Sequence, residues 1–219
     1  WQEIARNQRL VTVGRLAAGV AHEIRNPLSS IKGFATWFGQ RYRDNPEETR
    51  VADIMIQEVE RLNTVVNQLL EFARPMTLQK KKTSLNALVA DSLKMVENQA
   101  REKNITLENT LEEDILLDLD PNRMNQVLLN LYRNAMEAME HGGVLRVRSH
   151  RSPKADGVHL SVSDTGSGIK PEDLPHIFDL YFTTKSGGTG IGLAIVSNII
   201  EAHSGRVTVE SREGRGTTF

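Results

Sequence analysis

From Leu10 onward, apolar or small residues recur at alternating steps of three and four: Leu10, Val13, Ala17, Val20, Ile24, Pro27, Ile31, Phe34 and Phe38. That spacing is a heptad seam and predicts a long helix. A break containing Gly39, Asp44, Asn45 and Pro46 follows. The pattern then resumes with Ala52, Met55, Val59, Leu62, Val66, Leu69 and Ala73 until Pro75 stops it. Each helix also carries apolar positions off the seam: Leu16, Leu28 and Ala35 on the first, Val51, Ile54, Val65 and Phe72 on the second. The resulting stripe is wider than one antiparallel neighbour covers. Two copies of the hairpin joined in a four-helix bundle would bury it, so a homodimer is expected.

Beyond Pro75 the periodicity changes. Residues 75–83 carry neither period and read as an interdomain linker, with Lys80-Lys81-Lys82 as solvated charge. Ser84 caps a helix to about Arg101, and short strands are expected around Ile105–Leu107 and Ile115–Leu119. Asp120 as N-cap with Pro121 in the first turn opens a helix to about Glu140. Its buried side should hold Met124, Val127, Leu128, Leu131, Ala135 and Ala138. Strand patterns follow at Val144–His150 and Val158–Asp164. The glycine-, proline- and threonine-rich stretch 165–190 exceeds an ordinary connector and reads as a lid anchored by Phe178, Tyr181 and Phe182. A helix to about His203 and a strand from Arg206 to Ser211 come next, and Gly216 opens another strand pattern. The class is α+β, with a helical hairpin over 1–74 and an α/β domain over 84–219.

Candidate chemistry begins in the first helix, at His22-Glu23-Ile24-Arg25-Asn26-Pro27-Leu28. With Ala17 and Ile24 on the seam, His22 falls on the opposite line with Arg15, Ser29 and Thr36, so its imidazole is expected in solvent. Asn26 lies one turn on and Gly19 one turn before, which leaves room for a second protein. Pro27 cannot donate to the Glu23 carbonyl, so a bend is expected just after His22. A lone exposed histidine is usually a solvated surface side chain. The adjacent carboxylate and amide, with the motifs downstream, favour a nucleophile.

In the second domain Asn130 and Asn134 share the helical spacing of Val127, Leu131 and Ala138, so two amides run along the edge of the core. An unpaired buried amide costs about 1 to 3 kcal/mol, so they point either to a hydrogen-bond network or to a metal. Asp164 shares strand parity with Val158, Leu160 and Val162 and therefore faces the core at the strand's end. Its carboxylate suits a nucleobase amino group, or else caps the turn Thr165-Gly166-Ser167-Gly168. The run from Thr183 to Leu193 feeds glycines into a helix N-terminus, where backbone N–H groups converge on an anion. It is neither a Walker loop nor a dinucleotide fingerprint.

Composition narrows the classes. A chain of 219 residues has room for two domains. With 27 basic against 28 acidic side chains and net charge −1, it has no global field for nucleic acid. It contains no cysteine, which excludes thiol catalysis, disulfides and thiolate metal sites. No apolar run reaches the roughly 18 residues needed to span a bilayer, and no leader pattern is seen. Trp1 lies inside a helical pattern, so an excised piece of a longer protein is expected.

Taken in order, His22–Leu28, Asn130–Ala138, Asp164–Ile169, Phe178–Phe182 and Gly188–Leu193 resemble the phosphoacceptor, asparagine, first glycine, phenylalanine and second glycine boxes of bacterial two-component sensor histidine kinases. The resemblance covers essentially the whole chain and is greatest to the NtrB-like and ZraS-like sensors. It implies an ATP-binding α/β sandwich of the Bergerat (GHKL) type shared with Hsp90, gyrase and MutL, and an ATP-dependent protein-histidine kinase activity. Catalysis would involve His22, Glu23 and Asn26. Asp164 would bind the adenine amino group, Asn134 would coordinate Mg²⁺, and Asn130 would support it. Gly166 and Gly168 belong to the first glycine box, while Gly188, Thr189, Gly190, Gly192 and Leu193 would shape the lid beside the phosphates. Arg133 and Lys185 are phosphate contacts or solvated charges.

The related ATPases carry a glutamate where this chain has Asn130, which fits transfer to a side chain better than hydrolysis. The implied partners are a second copy and the receiver domain of a response regulator. This portion would be the cytoplasmic part of a bacterial inner-membrane protein. A mechanical GHKL ATPase and a noncatalytic dimeric docking scaffold are the competing readings.

Overall fold

The computed structural model describes residues 23–73, 76–112, 114–151, 157–185 and 188–219. They fall into two units, Trp1–Pro75 and Met76–Phe219. Among the described residues no helix is long and apolar enough to cross a membrane.

The first unit is a helical hairpin. Its first helix, α1, is described over residues 23–41, so the predicted pattern from Leu10 to Val20 lies outside the described residues. The second, α2, runs over Pro46–Ala73. The Asn45 side chain accepts from the Glu47 N–H at 3.1 Å, Pro46 takes the first position, and Glu47 and Glu48 lie in the first turn, where the helix dipole favours acid. Gly39, expected in the break, is helical. A side chain there would press on the Ala52 Cβ at 3.1 Å, so glycine lets the helices approach closely near the turn.

The buried residues are Leu28 and Ala35 on α1, seven apart, and Ala52 and Val59 on α2, also seven apart. This corrects the expected register on α1. Leu28 and Ala35, read as off the seam, face inward, while the seam residues Ile24, Ile31 and Phe34 are exposed, Phe34 by 72%. Polar pairs flank the contact, Arg25 to Asn67 at 2.7 Å and Lys32 to Glu60 at 2.8 Å. Within it, the side-chain oxygen of Asn63 is buried with no hydrogen-bond partner among the described residues.

The second unit is an α/β sandwich. Five strands lie in the order β2 (Ile105–Leu111), β4 (Gly143–Arg151), β5 (Val158–Asp164), β7 (Gly216–Thr218) and β6 (Glu210–Arg212). The pair β2–β4 is parallel and the remaining pairs are antiparallel. Strand alternation decides the faces: Leu145, Val147 and Ser149 of β4 are buried under the helices, while Arg148 and His150 are exposed. The helices are α3 (Leu85–Glu102), α4 (Pro121–Ala138) and α5 (Gly192–Ala202). Two expectations are revised at the margins. Residues 81–83, read as the end of a linker, form strand β1 (Lys81–Ser84) together with Ser84, paired with β3 (Leu116–Leu119). The strand expected from Arg206 begins only at Glu210, because its ladder with β7 engages Glu210–Arg212 alone.

Helix starts follow from side-chain caps. Ser84 accepts from the Ala87 N–H at 3.0 Å to start α3. Asp120 starts α4, accepting from the N–H groups of Asn122 and Arg123 through Oδ1 and from that of Gln79 through Oδ2 at 2.8 Å. The inner face of α4 is broader than expected. Tyr132 and Met136 are fully buried beside Val127, Leu128, Leu131 and Ala135, while Met124 and Ala138 are only half-buried. The Tyr132 hydroxyl meets Ser92 at 3.1 Å, and burial pushes its pKa up to about 12.

Burial alone would raise the Asp120 carboxyl, but its three N–H donors and the nearby Arg123 charge outweigh that and hold it below the usual carboxylate range. Asp120→Ala should therefore cost about 2 kcal/mol of stability in urea melts near neutral pH. With the folded value lowered, the carboxylate's stabilisation is present above the ordinary aspartate value and is lost as pH falls through the folded one. The melts of the two proteins should thus converge in acid.

Candidate functional site

The second unit brings its predicted residues to one end of the helix pair α4–α5. On α4, Asn130 and Asn134 are half-buried and Arg133 is exposed. The Asn130 amide donates to the Gly192 carbonyl at 3.5 Å, so the first asparagine touches the first residue of α5. Unlike α3 and α4, helix α5 starts at Ile191 with no side-chain cap. Its first-turn N–H groups lack intrahelical acceptors, and that is the arrangement an anion satisfies.

Asp164 closes β5, opposite Leu145. Its Oδ1 accepts from the Gly166 N–H at 2.8 Å and the Thr217 N–H at 3.2 Å, so the turn-capping reading is realised. Both of those bonds fall on one oxygen, which leaves Oδ2 for a ligand donor. Burial raises the carboxyl above the usual aspartate range, and the two N–H groups and the Lys185 charge act against the rise. Thr217 and Ser211, missed in the sequence, organise this corner. Ser211 Oγ accepts from the Ile169 N–H at 2.8 Å and lies 2.9 Å from the Thr217 hydroxyl. Gly166 lies against the Ala138 carbonyl, and Gly168, at φ +71°, passes the Arg212 carbonyl more closely than a side chain permits.

The stretch after Asp164 is fastened differently from the expectation. Tyr181 is not an anchor: it is 55% exposed. The buried residue is Ile177, with Phe178 edge-on to Phe219 and Phe182 half-buried against the His176 ring. Tyr181 instead sits at φ 68° and donates its N–H to the Gly190 carbonyl at 3.0 Å. Gly190, itself at φ +66°, runs against the Tyr181–Phe182 backbone, a place no side chain fits. Gly188 lies against the Thr183 hydroxyl, while a side chain at Gly192 would have room, its Cβ coming no nearer to the Asn130 side chain than 3.9 Å. Thr189 Oγ1 accepts from the Ile191 N–H at 3.4 Å, and Leu193 lies in the first turn of α5. Lys185 reaches back to α4, 2.7 Å from Glu137 Oε2 and 3.3 Å from the Asn134 carbonyl. Glu137 too was missed, since a helix-surface glutamate carries no signal of its tertiary partner.

In the hairpin, Glu23 and Asn26 are exposed on α1, on the same side as Ser29. His22 lies outside the described residues. Among the described residues no cluster of three or more His, Cys, Asp or Glu could hold a metal. A hard cation would therefore find an amide oxygen such as that of Asn134 and would need further oxygens from a ligand.

Residues 119–219 match the histidine kinase-, DNA gyrase B- and HSP90-like ATPase family, and residues 12–78 match the His kinase A (phospho-acceptor) domain. The chain is 47% identical over 218 residues to the sensor histidine kinase ZraS of Escherichia coli K12, covering 99% of this chain and 46% of that protein. It thus spans about half the length of that relative. Among solved structures, ThkA in complex with the response regulator protein TrrA superposes with a TM-score of 0.73 at 33% identity, covering 100% of this chain and 63% of that one. The ThkA catalytic domain alone matches at 34% identity and a TM-score of 0.57, over 66% of this chain and 93% of that domain. ShkA in complex with AMPPNP gives a TM-score of 0.76 at 28% identity, over 94% of this chain and 45% of ShkA. The chain belongs to the sensor histidine kinases, as a phosphoacceptor hairpin followed by an ATP-binding domain of the gyrase and HSP90 type.

The Lys185 ammonium opposes the rise in the Asp164 carboxyl. Lys185→Met should consequently move the Asp164 titration, followed by carboxyl-carbon NMR, to still higher pH; an unmoved titration would put the lysine charge out of reach. With its folded value already raised, the ionised Asp164 costs stability at neutral pH, and the unit gains as pH falls through that value.

Proposed function

We propose that this chain is the kinase core of a sensor protein that phosphorylates itself on His22 from Mg-ATP and passes the phosphoryl group to an aspartate of a response regulator. The observation that carries the reading is the meeting of Asn130 with the uncapped start of α5, with Asn134 one turn further along α4 and Asp164 closing β5. Such a site offers a carboxylate oxygen for an adenine amino group and unfilled N–H groups for phosphates. The structural likeness to a kinase holding AMPPNP supports the same assignment.

In the reaction an imidazole nitrogen of His22 attacks the γ-phosphorus in line. The new N–P bond forms as the bond to the β-phosphate bridging oxygen breaks, ADP leaves, and Glu23 takes the imidazole proton. Gly188, Thr189, Gly190, Gly192 and Leu193 shape the phosphate end, with Gly166 bringing the turn past α4 and Gly168 bringing it past Arg212. Arg133 and Lys185 are the cations available to the phosphates, and Lys185 must exchange Glu137 for them. Asn134, supported by Asn130, would hold Mg²⁺, which supplies charge neutralisation when bound. Asn26 orients a water for the reverse, phosphatase reaction; Asn26→Ala that kept this activity would remove the role.

The hairpin, residues 1–74, is the dimerisation and phosphotransfer part, and residues 84–219 are the catalytic part. The exposed apolar residues Ile31, Phe34, Trp37, Ile54 and Leu62 support pairing with a second copy into a four-helix bundle. The complex of ThkA with its response regulator supports a receiver domain as the phosphoryl acceptor. Relatives about twice the length of this chain support a larger sensor; its anchoring in the inner membrane, with this portion cytoplasmic, follows from the family resemblance alone.

His22→Gln should bind ATP with unchanged affinity yet take up no acid-labile phosphate from γ-labelled ATP; labelling of the variant would move the acceptor elsewhere. Asp164→Asn keeps an oxygen for the Gly166 and Thr217 N–H groups and removes the charge. It should stay folded while nucleotide affinity, measured by calorimetry, falls by about tenfold or more, the effect of losing one charge-assisted bond.

A further inference from the structure

The two ends of α5 are both tied to α4, and the tie far from the phosphates has no place in the mechanism above. At the near end the Asn130 amide donates to the Gly192 carbonyl at 3.5 Å. At the far end, a helix length or about 16 Å away, the His203 Nε2 accepts the backbone N–H of Asp120 at 3.0 Å. The other ring nitrogen, Nδ1, lies 2.8 Å from the Ile199 carbonyl. A carbonyl only accepts, so Nδ1 carries the proton and Nε2 presents its lone pair; both nitrogens are used and the ring is neutral. The residue it receives from is the buried N-cap of α4, whose carboxylate also binds the Gln79 N–H. The helices run antiparallel, so residues 120 and 203 meet at one end and residues 130 and 192 at the other. A ring at the first pair fixes how far α5 slides along α4 at the second.

We propose that His203 is a positioning residue for the phosphate end of the nucleotide site: its neutral imidazole sets the lengthwise register of α5 on α4 and so holds the uncapped helix start at Asn130. The proposal rests on the nucleotide reading of that site. It assigns no contact between His203 and ligand. The consequence is selective, because the adenine end depends on Asp164, which stands on a strand and not on either helix. Sliding α5 moves the phosphate donors and leaves the carboxylate in place.

The test uses the whole chain with Mg-ATP, ADP and adenosine as probes, comparing His203→Leu, which removes the acceptor, with His203→Gln, whose side-chain carbonyl reaches the same point. His203→Leu should weaken Mg-ATP at least fivefold and leave adenosine within twofold, and His203→Gln should restore ATP affinity. Equal weakening of ATP and adenosine, no weakening of either, or no restoration by glutamine overturns the proposal. Should His203→Leu fail to fold, His203→Asn, which reaches only the Nδ1 position, replaces it with the same expectations. If the unmodified chain binds neither ATP nor adenosine, the nucleotide reading itself fails. The register claim is then judged by amide exchange at Leu193 and Ala194, which must quicken in His203→Leu and recover in His203→Gln.

Discussion

A buried carboxylate must be hydrogen-bonded or it is a liability of several kcal/mol, and the second unit is arranged around meeting that demand at Asp120. Two of its donors belong to the first turn of α4 and the third to Gln79, in the segment that enters the unit. Because the cap decides where α4 begins, it also decides the angle at which Asn130 and Asn134 leave the helix ten and fourteen residues later. Tyr132 locks the same helix from its inner side, its hydroxyl bonded to Ser92 on α3 in a space closed to water. The asparagines thus owe their direction to residues at the start of the helix and on its inner face.

The glycine-rich stretch behaves as a fastened strap. Ile177 is buried beneath it, Tyr181 and Gly190 close a backbone loop, and Lys185 bridges to Glu137. That ion pair is two-fifths exposed on both sides, so it contributes little to stability and can be exchanged at small cost. Glycines in such a strap serve two purposes. Gly190 and Gly168 are required by a positive φ and by the backbone each passes, whereas at Gly192 a side chain would meet only Asn130, at 3.9 Å.

Much of the architecture was legible locally. Ser84 and Asp120 announced their helices through capping chemistry, and strand parity placed Asp164 at the inner edge of β5. What failed depended on partners distant in sequence. The heptad pattern could not decide which of two apolar stripes on α1 would face α2, because Leu28 and Ile24 are equally good helix-core residues until Ala52 and Val59 are set opposite. Tyr181 looked like an anchor because aromatic residues usually are; a positive φ turned it outward. Thr217, Ser211 and Glu137 entered the site only through pairings across 42 to 53 residues of chain, such as Thr217 to Asp164 and Lys185 to Glu137, for which composition offers no sign.

The sheet has one further property that its order of assembly makes plain. Strand β7 lies between β5 and β6, although it follows both in the chain. Until β7 is in place, β5 presents a bare edge and β6 has nothing to pair with, so Asp164 waits for the Thr217 N–H until β7 inserts. Such late, non-local closure makes for slow folding and leaves an exposed template for mispairing in the meantime. The corner around Asp164 therefore acquires its shape only after β7 has been made.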